Sequence, residues 1–193
     1  MGPGLRKLAL ATHLSVSVGW IGAVAAYLTL DVAVATVDDA QILRAAWVAM
    51  GLVVTWAIVP LAVASLVTGL VMALGTKWGL FRHWWVVISL LLTLAATLVL
   101  LQEAGVIAEA AAMAAEPATS DAELRNLPPT LPHSGGGLAV LLVIQVMNVY
   151  KPQALTPYGW RKQEEERRAA KARSVMPRAA DGGRAEAARS PRR

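Results

Sequence analysis

The sequence predicts an all-α fold: an integral membrane four-helix bundle with both termini cytoplasmic. Three observations carry this expectation. The 193 residues are 56% hydrophobic and only 16% charged, where a soluble domain usually carries about 25% charged residues. Four apolar runs approach the ~20 residues that an α-helix needs to cross a bilayer core. Finally, sixteen of the eighteen Lys and Arg residues fall at the N-terminus, in the segment Gly75–Trp85 or in the C-terminal tail. Only Arg44 and Arg125 are left for the other side, where eight of the thirteen acidic residues gather. That asymmetry follows the positive-inside rule and sets the orientation.

The expected membrane domain is residues 1–152, with spans at about 6–30, 45–74, 84–103 and 134–150. A basic juxtamembrane segment and a disordered cytoplasmic tail make up residues 153–193. There is no cysteine, which excludes disulfides, thiolate metal sites and cysteine nucleophiles.

The first span begins after Arg6 and Lys7. Ala23-Val24-Ala25-Ala26 resembles a secretory cleavage site, but the apolar run continues past it, so retention as a span is expected. Asp31 to Arg44 reads as a short acidic outer loop. The second span carries Pro60, which cannot donate to the carbonyl of Trp56, so a kink is expected there. Gly75–Trp85 is a basic aromatic hairpin whose Lys77 and Arg82 hold it inside, with Trp78, Trp84 and Trp85 suited to the headgroup layer. The third span should leave the membrane as a helix and stop at Pro117. Ala118–Pro132 reads as a loop, and the last run, counted from Ser134, is short for a crossing. In the tail, Arg161–Arg193 carries eleven basic and five acidic residues. Pairing of Glu164 with Arg168 at i,i+4 favours helix over Gln163–Arg173. The remainder has no core-forming pattern. Its charge suits anionic lipid and is not read as a nucleic-acid site.

Two faces of the first span are distinct. Thr12, Ser15, Gly19, Gly22 and Ala26 form a seam of small residues on which another helix can lie close, in this bundle or in a homo-oligomer. His13, Ser17 and Trp20 recur at i, i+4, i+7, and an ionisable side chain inside a span is by default a site hypothesis. Depth brings His13, Ser17, Gln145, Asn148 and His83 toward one cytoplasmic-side cluster, with Lys77 and Arg82 just outside it. Ser89, Thr93 and Thr97 follow at helical spacing on the third span. Three roles stay open for the cluster. His13 holds the bundle together by hydrogen bonding to Gln145 or Asn148. Alternatively, His13 is an axial ligand of a b-type haem whose propionates meet Lys77 or Arg82. Or the cluster lines a path for a proton or small solute. His133 belongs to the opposite side. No phosphate loop, His-Glu-x-x-His or nucleophile elbow is present, so nothing points to hydrolase or ATPase chemistry. No catalytic or metal-ligating set is expected.

Four groups of residues carry a resemblance. They are His13-x6-Trp20-x-Gly22, Pro60-Leu61 with Thr68-Gly69-Leu70, the run from Thr76 to Val86, and Tyr150-Lys-Pro with Leu155-Thr-x-Tyr-Gly-Trp-Arg161. Together they resemble an uncharacterised family of actinobacterial four-span integral membrane proteins. That resemblance covers roughly residues 6–162 and implies the four-helix fold alone. The His-x6-Trp start is also similar to that of the protoporphyrinogen oxidase and copper-resistance type of membrane bundle, in which the first-span His is linked to haem or metal. Ser89 stands where the porphyrin enzymes carry a Lys, four residues after Trp85, and Gln102 where they often place a His. The likeness therefore implies haem at His13 without the porphyrin-oxidising activity. The sequence expectation is a multi-pass protein of the bacterial cytoplasmic membrane, structural or accessory in role, with haem binding or a solute pathway as alternatives.

Overall fold

The computed structural model of the chain describes residues 1–76 and 79–187, with tail side chains as far as Ser174. Among these residues the fold is all-helical, and four helices are long and apolar enough to cross a membrane. Lys77 and Trp78 of the hairpin, and the last six tail residues, lie outside the described residues.

Helix α1 runs over Pro3–Thr36, with Pro3 at its start, where a missing N–H costs nothing. It absorbs half of the expected Asp31–Arg44 loop, and only Val37–Asp39 remain as linker. Asp31 is thus helical and buried, not a loop residue. Its partners, Thr130 and Ser134, are about a hundred residues away in the chain. Asp39 then caps α2 (Ala40–Val53), accepting from the backbone N–H groups of Gln41 and Ile42.

The kink expected at Pro60 is a wide π turn, Val54–Ile58, between α2 and α3 (Val59–Gly75). The Val59 N–H reaches back to the Val54 carbonyl. One extra residue in the turn lets the chain stay helical past the proline.

Helix α4 spans Trp84–Ala115 and extends beyond a bilayer's need, as expected. Two features of the following segment differ from the expected loop. A short α5, Asp121–Arg125, is set by a capping box in which Ser120 and Glu123 satisfy each other's backbone N–H groups. Helix α6 begins at Leu131, not Ser134, with Pro132 in its first turn. Its 20 residues give about 30 Å at ~1.5 Å per residue, enough for a full crossing. Lys151 ends α6 in a left-handed conformation, φ 45°.

Contacts place α1 and α4 across the bundle from each other, each packed on the α2–α3 helix and on α6. The core lies on the axis between them, around Trp20, Trp47, Met50, Ile58, Leu141 and Ile144. Large apolar side chains also face outward along all four helices, among them Leu14, Val67, Leu91 and Val143. That pattern suits lipid and not water. The small-residue seam of α1 is split. Gly19 meets Leu61, but Thr12, Ser15, Gly22 and Ala26 are exposed on the outside of the bundle.

The two ends of the bundle are closed differently. At the end where α1 starts, the segment after α6 folds back over the hairpin. Thr156 donates to the Phe81 carbonyl, its N–H donates to the Arg82 carbonyl, and Leu155 bridges to His83. Helix α7, Pro157–Ala187, starts here and is continuous through the expected Gln163–Arg173 stretch and beyond. Gly159 lies so close to the Arg82 carbonyl oxygen that a Cβ would overlap it. At the far end Arg44 donates to the carbonyls of Ala114, Glu116 and Thr119, capping α4 where its dipole is negative. Arg125 donates to the Asp38 carbonyl at 2.8 Å. Both far-end arginines thus hold backbone together.

Candidate functional site

A single face of α1 organises the polar interior. His13, Ser17, Trp20, Val24, Tyr27 and Asp31 follow one another at spacings of four, three, four, three and four, which is one helical stripe. The last four are buried. Except for the Trp20 indole N–H, which has no partner, each polar group on the stripe bonds to a residue of α3 or at the start of α6.

His13 bonds to α3, not to α6 as the sequence suggested. Its Nδ1 lies 2.9 Å from Thr68 Oγ1. The Thr68 hydroxyl donates its proton to the Ala64 carbonyl at 2.7 Å, so it accepts from His13. That fixes the proton on Nδ1 and leaves the Nε2 lone pair open. Gly69 makes room for the ring, since a Cβ there would sit 3.2 Å from His13 Cε1. One turn along, Ser17 and Ser65 share a hydrogen bond of 2.9 Å.

His13, Gln145 and Asn148 do line one cavity of about 750 Å³ at the end where α1 starts. Arg6, Lys7 and Lys151 stand among its lining residues, and Ser89 lines it deeper in. Thr93 and Thr97 turn their hydroxyls back to their own helix, but the buried Ser89 hydroxyl has no partner. Ser17 stands beside this cavity through Ser65, which lines it. His83 and Arg82 do not line it. His83 caps α4 at the bridge to Leu155. Arg82 forms a two-armed ion pair with Glu166 of α7, at 3.0 and 2.8 Å. That pair holds the Arg82 guanidinium above its ordinary pKa and the Glu166 carboxyl below the usual carboxylate range. Lys77 lies outside the described residues.

A second polar cluster, at the far end, was not visible in the sequence reading. Asp31 accepts from Thr130 at 2.8 Å and from Ser134 at 2.5 Å. Tyr27 donates to Thr130 at 3.3 Å. A cavity of about 370 Å³ opens beside this cluster, with Glu103 and His133 on its wall. The wide turn before Pro60 contributes Val54 and Ile58 to the same wall, and Gly136 and Gly137 leave it unfilled. The α1 stripe itself held the clue: continued past Trp20 at the same spacing, it reaches Tyr27 and Asp31.

Compared with protein-family models, curated proteins and solved structures, the chain matches none of them.

The two cavities follow each other along the bundle axis. Leu92 lines the far one and Thr93 the near one; Leu141 and Ile144, one turn apart on α6, divide in the same way. Between them Trp20, Leu141 and Ile144 belong to one packed core cluster, with Leu92 against it. The bundle therefore carries two partly open chambers, one toward each end, separated by an apolar layer.

Of the residues expected to serve a haem, His13, Gln145 and Asn148 line the near cavity, whereas His83 and Arg82 do not, and Arg82 is paired with Glu166.

Proposed function

We propose that this chain is a multi-pass protein of the bacterial cytoplasmic membrane, with both termini in the cytoplasm, that provides a gated path for a small solute along its axis. One observation carries the reading: the α1 stripe lines two chambers placed end to end, with His13 in one and Trp20, Val24 and Tyr27 in the other. A helix bundle that served only as a scaffold would gain stability by filling that volume with side chains. Here the chambers retain the His13 imidazole with Gln145 and Asn148 in one, and Glu103 with His133 in the other. The layer of Trp20, Leu141 and Ile144 is the gate in its closed state, an apolar constriction that excludes water. The wide turn before Pro60 lies on the chamber wall, where a small change of helical register would move Val54 and Ile58.

Orientation follows from charge. Arg6, Lys7, Arg82 and Lys151 gather at the end where α1 starts, which the positive-inside rule assigns to the cytoplasm. Exposed Trp84, Tyr150, Tyr158 and Trp160 ring the same end and suit the headgroup layer. The basic α7 then lies against anionic lipid.

The test is swelling of proteoliposomes in a panel of small solutes, among them acetate, glycerol, methylamine and phenethylamine. Passage of some of these but not others, above empty vesicles, is the expected result. Passage of none would return the chain to a structural or accessory role. A visible spectrum of the same preparation settles the haem alternative: a Soret band lost in His13→Ala would make His13 an axial ligand and contradict the pathway.

A further inference from the structure

The near chamber changes in chemistry with depth. Arg6, Lys7 and Lys151 stand at its mouth, and no acid is among its described lining residues. Arg6 and Lys7 form no ion pair among the described residues, so the bundle itself does not neutralise them. Asn148 and Gln145 come next, about 5 and 9 Å below Lys151 at ~1.5 Å per residue. Both are half-buried, and neither side-chain amide bonds to another described residue. Beyond them the wall is mostly apolar, with Leu14, Leu66, Leu90 and Ile144.

The chamber also opens to the side. Its lining residues on α3 and α4 are buried or half-buried, whereas Leu10, Leu14 and Val149 are exposed, and these three belong to α1 and α6. The bonding of α1 accounts for the opening. At this end His13 and Ser17 tie α1 to α3. Its tie to α6, through Asp31, lies at the far end. The two helices are fastened at one end and leave a cleft at the other. In a bilayer that cleft meets acyl chains along its length and headgroups at its mouth.

We infer that the near chamber is a binding site for one anionic phospholipid, which enters between α1 and α6. Its phosphate takes charge-assisted bonds from Arg6 and Lys7, and Lys151 adds to the positive field. Its ester carbonyls accept from the amides of Asn148 and Gln145, and one acyl chain fills the apolar depth. The volume of about 750 Å³ is in the range of ligand sites, roughly 300–1,000 Å³. Charge decides the occupant. A zwitterionic lipid brings its own cation to Arg6 and Lys7, and a free phosphate leaves the apolar depth unfilled. The site is distinct from the contact of α7 with the membrane surface, because it draws a lipid inside the bundle. It rests on the chain spanning a bilayer with this end inside, and not on solute passage. Lipid exchanges with the surrounding leaflet, so the chamber is open to a solute between occupancies.

The experiment is photo-crosslinking of the full-length protein in phosphatidylcholine vesicles doped with phosphatidylglycerol that carries a diazirine in one acyl chain. Phosphatidylcholine with the same diazirine chain is the control, and labelled positions are read residue by residue by mass spectrometry. Two neighbouring pairs report the outcome. Met72 and Leu90 line the chamber, while Val71 and Leu91 are exposed beside them. The anionic probe should label Met72 and Leu90 about tenfold or more above the choline probe, since each cation near a charged headgroup contributes about fivefold. Val71 and Leu91 should take both probes alike. Arg6→Gln with Lys7→Gln should bring the chamber labelling to the choline probe's level and leave the outward labelling unchanged. Excess glycerol phosphate in solution should not displace the probe. Displacement would mean that the chamber takes a free anion, and would overturn the lipid assignment. Equal labelling of Met72 and Leu90 by the two probes, or labelling of Val71 and Leu91 alone, would overturn the site, and neither comparison needs a variant. Labelling of neither pair would sink the membrane reading together with the site. Solute passage without chamber labelling would keep the pathway and remove the site. Chamber labelling without passage would do the reverse.

Discussion

Asp31 on α1 and Ser134 on α6 are joined by a hydrogen bond of 2.5 Å in the buried interior of the bundle. With the bond from Thr130, it converts a carboxylate that would be costly to bury into a fastener between α1 and α6. Asp31→Ala leaves the Thr130 hydroxyl without its acceptor and Ser134 with the Leu131 carbonyl alone. The expected loss is about 3 kcal/mol of stability, the scale of hydrogen bonds to a charged group together with an unmet donor. Ser134→Ala removes one arm and should cost roughly half of that. Thermal unfolding in detergent, followed by circular dichroism, measures both. Equal stability of Asp31→Ala and wild type would show that the carboxylate fastens nothing.

Arg44 holds the end of α4 by three backbone carbonyls. Arg44→Ala frees them into solvent and should fray the last turn before Pro117. A methionine of similar length would keep the packing and lose the bonds, so Arg44→Met separates the two contributions. Hydrogen exchange over Met113–Thr119 should accelerate in both variants, with α1 and α6 unaffected. Unchanged exchange in that segment would contradict the capping role.

The tail is docked by two kinds of contact, and they should differ in their response to pH. The pKa of Glu166 is depressed by Arg82, so its contribution is full above the ordinary carboxylate pKa and is lost as pH falls through the lowered value. Both partners reach solvent, and exposed ion pairs contribute little. Acidification to about pH 3 should therefore loosen only the Arg82–Glu166 link. Gly159→Ala, by contrast, drives a Cβ into the Arg82 carbonyl and should displace the start of α7 at every pH. Spin-label distances between Phe81 and Arg161 positions read both effects. Release of α7 by acid alone would reverse their ranking.

Gly69 gives His13 its place. Gly69→Ala puts a methyl group against the ring and should break the bond to Thr68, releasing the tautomer. Nitrogen-labelled histidine spectra should show Nδ1 protonated in the wild type and a mixture in Gly69→Ala. A mixture already in the wild type would mean that Thr68 does not orient the ring.

The fold was legible because hydropathy and charge asymmetry are additive along the chain and need no partner information. The same signals misled at Asp31. A charge at the end of an apolar run reads as the start of a loop, and only Thr130 and Ser134, unlocatable from the sequence, make it interior. The Ser120–Glu123 capping box was readable at its spacing, and so was the proline start of α6. The near chamber was partly legible, since depth alone brought His13, Gln145 and Asn148 together. Depth does not fix rotation, which is why His13 was paired with α6 when its partner is on α3. His83 and Arg82 were placed by proximity to the same membrane face, but the tail claims both, and nothing local announces that it folds back. Ser17, Trp20, Tyr27 and Asp31 show what a longer window would have found.

The central claim is that the two chambers are wet compartments reached from opposite sides. The chain has no cysteine, so single cysteines can be introduced without background. Ser89→Cys lines the near chamber, Gly137→Cys the far one, and Val143→Cys points outward from the bundle. The measurement is their modification rate, in oriented membrane vesicles, by a charged thiol reagent that cannot cross the bilayer. Ser89→Cys should react only from the cytoplasmic face and Gly137→Cys only from the opposite face, both faster than Val143→Cys. If neither reacts faster than Val143→Cys, the chambers are dry packing voids and the chain is not a pathway.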